Sequence, residues 1–193
     1  MDLTQGTTQE KVNRSKKTMM WFAMISMAMV FAGLTSAYVV SKSRKDWGID
    51  LVFPNAFIYS ILIIVASSVT FYFVKKAIEN NNRSLATLLL LSTLALGIIF
   101  IFLQFEGFSD IIRQGYHFTG PTSNIVTTFM FIIVVTHLAH IIGGILVLLV
   151  VIYNHFKQKY KTGQTLGLEL GAMYWHFVDF LWVYLFLFLY FVK

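Results

Sequence analysis

Four stretches of this chain run for more than twenty residues without an aspartate, glutamate, lysine or arginine, and a fifth carries a single carboxylate. They occupy residues 18–41, 51–74, 84–105, 125–153 and 170–192, with Gly120, Pro121 and Asn124 marking the turn before the fourth. A helix rises about 1.5 Å per residue, so about 20 apolar residues cross a hydrocarbon core of about 30 Å. Each run is long enough for one crossing. The expected fold is all-α, a polytopic membrane bundle of five transmembrane helices. Composition agrees, with 57% hydrophobic and 12% charged residues and a mean hydropathy of +0.70. The connecting loops are too short to hold a second domain, and no repeat or low-complexity segment is visible.

Residues 1–17 are polar and end in Lys11, Arg14, Lys16 and Lys17. They read as a mobile basic tail ahead of a five-helix domain at 18–193. A signal peptide cleaved near Ala37 is the alternative, but the apolar run continues through Val40, beyond a usual signal core of about 7–15 residues. The net charge of +6 would point to nucleic acid in a soluble protein; here the basic residues sit in short loops and report topology, so no nucleic-acid partner is expected. With the tail inside, ten lysines and arginines fall on its side of the membrane and five on the other. That asymmetry places the N-terminus inside and the C-terminus outside. The absence of cysteine excludes disulfides, thiolate-ligated clusters and thiol nucleophiles.

Small residues recur on the first run, where Ala28, Ala32 and Ser36 lie four apart beside Gly33 and Ala37, and on the fourth, with Ala139 and Gly143. Such ridges let helix backbones approach closely where lipid gives no hydrophobic drive to associate. Met20, Met24 and Met27 share a face of the first run and read as flexible core packing rather than a copper-handling stripe.

The costly residues are polar ones inside apolar helices. A charge near the bilayer centre costs on the order of 2.5–3.5 kcal/mol on insertion scales, so Asp179 marks a functional-site candidate. Glu169, His176 and Asp179 share one stripe of the fifth helix; His137, His140 and Gly144 share one on the fourth; Thr93, Gly97, Phe100 and Gln104 share one on the third. Gln104, His137, His140, Glu169, His176 and Asp179 form a candidate buried polar network in which a histidine satisfies Asp179. A metal held by the His-x-x-His and His-x-x-Asp pairs competes with this reading, but di-iron sites need several deep glutamates and only Asp179 lies deep. Bis-histidine haem ligation between the fourth and fifth helices is a further alternative. No strained serine elbow and no glycine-rich phosphate loop is present.

The run LELGAMYWHFVDFLWVYLF at 168–186, together with Thr136, His137, Leu138, Ala139, His140, Ile141, Ile142, Gly143 and Gly144, closely resembles subunit III of haem-copper terminal oxidases of the cytochrome c oxidase type. Leu96, Gly97, Phe100 and Gln104 add a third match, so the similarity covers the third to fifth helices and, more weakly, the first. The chain looks like the five-helix bacterial form, which lacks the first two of seven helices in longer members. The resemblance implies a multi-pass protein of the bacterial cytoplasmic membrane with no catalytic, cofactor-binding or metal-binding residue of its own. It packs against catalytic subunit I and subunit II, which carry the haem and copper, within an enzyme that couples oxygen reduction to proton translocation; a larger respiratory supercomplex is a further partner. The resemblance also implies a V-shaped bundle whose cleft holds structural phospholipid. Lys157, Lys159 and Lys161 either hold phospholipid headgroups or only set topology.

Two residues depart from the family pattern. Longer members place a glutamate directly after a serine in the first span, where this chain has Met27 after Ser26. Members also often carry a glutamate three residues after the position of Gln104, whereas Glu106 follows by two and falls on another face of a regular helix. The reading is an accessory, non-catalytic subunit that supports the catalytic subunit's stability, lipid environment and proton uptake. The alternatives are a subunit III-like partner of a nitric oxide reductase and a stand-alone proton-coupled transporter. Broken helices would favour transport, and the only prolines, Pro54 and Pro121, lie at span edges.

Overall fold

A computed structural model describes residues 7–44, 47, 52–118, 120, 123–160 and 165–192. Its elements are α1 (Thr8–Ser41), α2 (Asn55–Glu79), α3 (Arg83–Arg113), α4 (Ile125–Phe156) and α5 (Leu166–Val192). All five are long and apolar enough to cross a membrane. Among the described residues the sole β feature is an isolated bridge between His117 and Ser123. The fold class read from the apolar runs is the observed one.

The boundaries differ where capping chemistry outruns hydropathy. The helix containing the first span begins at Thr8, not at residue 18. Thr7 and Glu10 form a reciprocal capping box, with Glu10 N donating to Thr7 Oγ1 at 3.3 Å and Thr7 N donating to Glu10 Oε2 at 2.8 Å. Residues 8–17 of the polar tail are therefore helical and continue α1 by roughly 15 Å beyond the apolar run. Asn82 and Asn124 cap α3 and α4 by their side chains alone, accepting from Leu85 N and Val126 N. Between α2 and α3 the chain reverses through Asn81, whose φ of 56° is tolerated by an asparagine, while Asn82 N bonds back to Ala77 O at 2.9 Å. α5 starts at Leu166, which places Glu169 in its first turn.

α2, α3, α4 and α5 close into a ring, each touching the next and α5 returning to α2; α1 lies outside it against α4 and α5. The five helices thus make a closed ring with an outer helix, not the V with an open cleft that the resemblance implies. Two tryptophans of α5 fill the ring. Trp175 and Trp182 are almost wholly buried and donate their indole N–H groups to α2 serines, Ser67 Oγ at 3.0 Å and Ser60 Oγ at 2.9 Å. Gly97 of α3 and Gly144 of α4 make room for the first of these rings, since a Cβ would lie 3.0 Å from Trp175 at position 97 and 3.3 Å from it at position 144. Gly107 stands under the Phe57 ring for the same reason. Without a hydrophobic drive between helices in lipid, this interlocking and the indole bonds hold the ring together.

The small residues of α1 do something else. Ala28, Ala32, Gly33, Ser36 and Ala37 are all exposed, and α1 packs through Met24, Met27, Phe31, Thr35 and Tyr38. Close approach through small residues happens inside the ring at Gly97, Gly107 and Gly144, whereas nothing lies within 4 Å of a Cβ built on Gly33.

Candidate functional site

The structure distributes the six polar candidates over separate clusters. Glu169 lies at the end of the bundle where three helices meet. Its Oε2 is 2.7 Å from Lys17 Nζ of α1, its Oε1 is 3.0 Å from Lys75 Nζ of α2, and Thr165 Oγ1 donates to Oε1 at 3.1 Å. The helical extension of α1 makes this possible, because it carries Lys17 to the first turn of α5.

His176 lies two turns further along α5, half-buried, with Nδ1 2.6 Å from Ser68 Oγ of α2. Asp179 is 4% exposed, and neither of its carboxyl oxygens has a hydrogen-bond partner. The histidine expected to satisfy it is engaged elsewhere: Ser68 takes the Nδ1 of His176. Ser68, His176 and Asp179 all line one open groove between α2 and α5, of about 580 Å³.

The α4 histidines part company. His137 is fully buried, stacked on Trp182 with centroids 5.0 Å apart, with Phe31 and Phe100 edge-on and no partner for either ring nitrogen. His140 turns back on its own helix, Nδ1 2.7 Å from Thr136 O, and its carbonyl accepts from Tyr174 Oη at 3.1 Å. Gln104 is fully buried and also unpartnered. Its neighbours one turn away on either side, Phe100 and Phe108, meet His137 and Phe131 of α4 and also Trp182 of α5 and Phe57 of α2, so Gln104 lies on the inward face of α3. Glu106 instead pairs on the surface with Arg113 at 3.6 Å, as the two-residue offset requires. Among the described residues no three His, Asp or Glu side chains converge as a metal site.

Interhelical bonds absent from the sequence reading join Thr70 to Thr93 at 2.9 Å, Thr87 to His155 at 2.9 Å and Thr35 to Tyr184 at 3.3 Å. Threonine in an apolar helix is too common to single out a partner. The pairing of α2 with α3, of α3 with α4 and of α1 with α5 selects them.

Of the three lysines considered for headgroups, Lys157 stands over the Tyr153 ring at 4.8 Å, and Lys161 lies outside the described residues. Lys159 lines a polar cavity of about 850 Å³ together with Lys16, Lys17 and Tyr160. Burial pushes the Tyr160 hydroxyl pKa up.

A family model described as cytochrome c oxidase subunit III matches residues 4–193. The chain is 26% identical over 193 residues to the cytochrome bo(3) ubiquinol oxidase subunit 3 of Buchnera aphidicola from Acyrthosiphon pisum, covering 97% of this chain and 92% of that protein. The corresponding protein of the Baizongia pistaciae strain is 28% identical, with 88% of each chain covered. The cytochrome c oxidase subunit 3 of Corynebacterium diphtheriae is 30% identical over 172 residues, covering 86% of this chain and 82% of that one. A match that runs from the polar start of α1 to the end of α5 places the chain in the cytochrome c oxidase subunit III family, the accessory subunits of haem-copper terminal oxidases.

Proposed function

We propose that this accessory subunit packs beside subunits I and II of a bacterial terminal oxidase in the cytoplasmic membrane, with its N-terminus inside and its C-terminus outside. There it maintains the catalytic subunit's lipid surroundings, durability and proton uptake. The observation that carries the reading is the family match along residues 4–193. The dispersal of the histidines supports it: His137 is enclosed by aromatic rings, His140 bonds its own helix and His176 bonds a serine, so none is arranged to share a metal or haem with another.

The polar cavity lined by Lys16, Lys159 and Tyr160, with Lys17 paired to Glu169 in its wall, is the proposed phospholipid headgroup position, at the end of the bundle that positive-inside counting puts at the inner surface. The haem and copper, and the site where the electron donor docks, belong to the partner subunits. The reading is tested by purifying the chain from its own membrane in mild detergent. Co-purification with haem-bearing subunits is expected. Recovery of the chain alone, with a haem oxidase intact in a separate fraction, would contradict it.

A further inference from the structure

Gln104 of α3 and His137 of α4 are fully buried, and neither atom of the Gln104 amide nor either ring nitrogen of His137 bonds a protein group. The helix register brings the two side chains to one level. α3 and α4 run antiparallel, and two contacts fix their alignment: a Cβ built on Gly97 would lie 3.9 Å from Ile145, and Phe108 stacks on Phe131 with centroids 4.9 Å apart. Counting along both helices from either contact sets Gln104 opposite residues 135–138 of α4, the level of His137. Both residues also face the interior of the ring, since Phe100 and Phe108 flank Gln104 against Trp182 and Phe57, and His137 stacks on Trp182.

In an apolar, solvent-free interior an unpaired amide or imidazole is costly, and most buried polar groups find a partner. Chemistry narrows what that partner is. The amide offers two N–H donors and a carbonyl acceptor, and a neutral imidazole offers one donor and one acceptor. An occupant that serves both must donate and accept. It must also be small, because Phe31, Phe100 and Trp182 close around the His137 ring. A lipid headgroup does not reach groups without exposure, and among the described residues no three His, Asp or Glu side chains converge to hold a cation.

We propose that an internal water molecule is bound between Gln104 and His137, joining α3 to α4 in the middle of the bundle. One water spans two hydrogen-bond lengths, about 5.5–6 Å, where a direct bond needs about 3 Å. The bridge satisfies both side chains and fixes the rotation of one helix against the other, which apolar packing alone specifies less sharply. It concerns the subunit's own core and stands or falls separately from the accessory role.

The first test is electron cryomicroscopy of the assembled oxidase at a resolution that shows ordered waters. A density peak is expected at about 2.7–3.2 Å from both a Gln104 amide atom and a His137 ring nitrogen. A direct bond between the two side chains, an empty gap, or a peak at about 2.0–2.3 Å from the ring nitrogen, the distance of a metal, would overturn the proposal. The second test is a double-mutant cycle read as the temperature at which the subunit leaves the heated complex. Gln104→Leu and His137→Phe each strand the other member of the pair, and His137→Phe keeps a ring against Trp182. The double variant should therefore lose less than the two single losses added together. Strictly additive losses would contradict the bridge. Should a single variant fail to assemble, the density in the unmodified complex decides.

Discussion

Lys17 Nζ lies 2.7 Å from Glu169 Oε2, tying the polar extension of α1 to the first turn of α5, and Lys75 closes the same carboxylate from α2 at 3.0 Å. Both lysines are nearly half exposed, so each pair alone contributes at most about 1 kcal/mol and less in salt. Removing the carboxylate is different, because it leaves two like charges facing each other. Glu169→Gln should lower the thermal midpoint of the purified subunit more than Lys17→Gln does. Raising ionic strength should narrow the gap between them. Equal midpoints for the two variants at low salt would show that the three-way arrangement is not cooperative.

The glycines sort into two classes with opposite expectations. Gly97→Ala would bring a methyl group to 3.0 Å from the Trp175 ring and should destabilise by about 1–3 kcal/mol. Gly33→Ala meets nothing within 4 Å and should leave the isolated subunit unchanged or slightly more stable, since alanine is the better helix former. Thermal unfolding in detergent checks both. A Gly33→Ala loss that emerges only in the assembled oxidase would place a partner against α1.

Trp182→Phe should remove the bond to Ser60 while keeping most of the ring that His137 stacks on. Interhelical bonds of this kind average about 0.6 kcal/mol. Ser60 already bonds Phe57 O at 2.7 Å, so its hydroxyl is not stranded. A mild loss is therefore expected, smaller than that of Trp182→Ala. Equal losses would show that the indole N–H, rather than the ring, holds α5 in place.

Topology is testable because the chain has no cysteine. A cysteine at Lys159 should resist an impermeant reagent added from outside, and one at Lys42 should react. The reverse pattern would invert the orientation and move the polar cavity of Lys16, Lys17 and Lys159 to the outer surface.

The helices were legible because hydropathy over twenty residues is a strong, local signal, and the caps at Asn82 and Asn124 sharpen two of their starts. The true start of α1 was also written locally, in Thr7 and Glu10, but the lack of an apolar face in 8–17 hid it. The polar residues fall on stripes that a single helix reveals, but their partners lie on other helices. Spacing along one helix shows that His176 and Asp179 share a face. It does not show that Ser68 on α2 captures His176 or that Trp182 stacks on His137, because those relations depend on helix rotation set by Gly97, Gly144 and the two tryptophans. The α1 small-residue ridge misled for the same reason: one helix alone does not say which of its faces is covered.

The proposed role, sustaining oxygen reduction without carrying electrons, separates the first turnovers from the later ones. It is tested most directly by assembling the oxidase with and without this chain and following oxygen consumption through many turnovers across a pH series. Haem spectra and the initial rate should be nearly the same in both. The complex lacking the chain should then lose activity progressively, and its rate should fall more steeply as pH rises and proton supply becomes limiting. Immediate loss of haem reduction on removing the chain would contradict the account, as would identical turnover, durability and pH dependence with and without it.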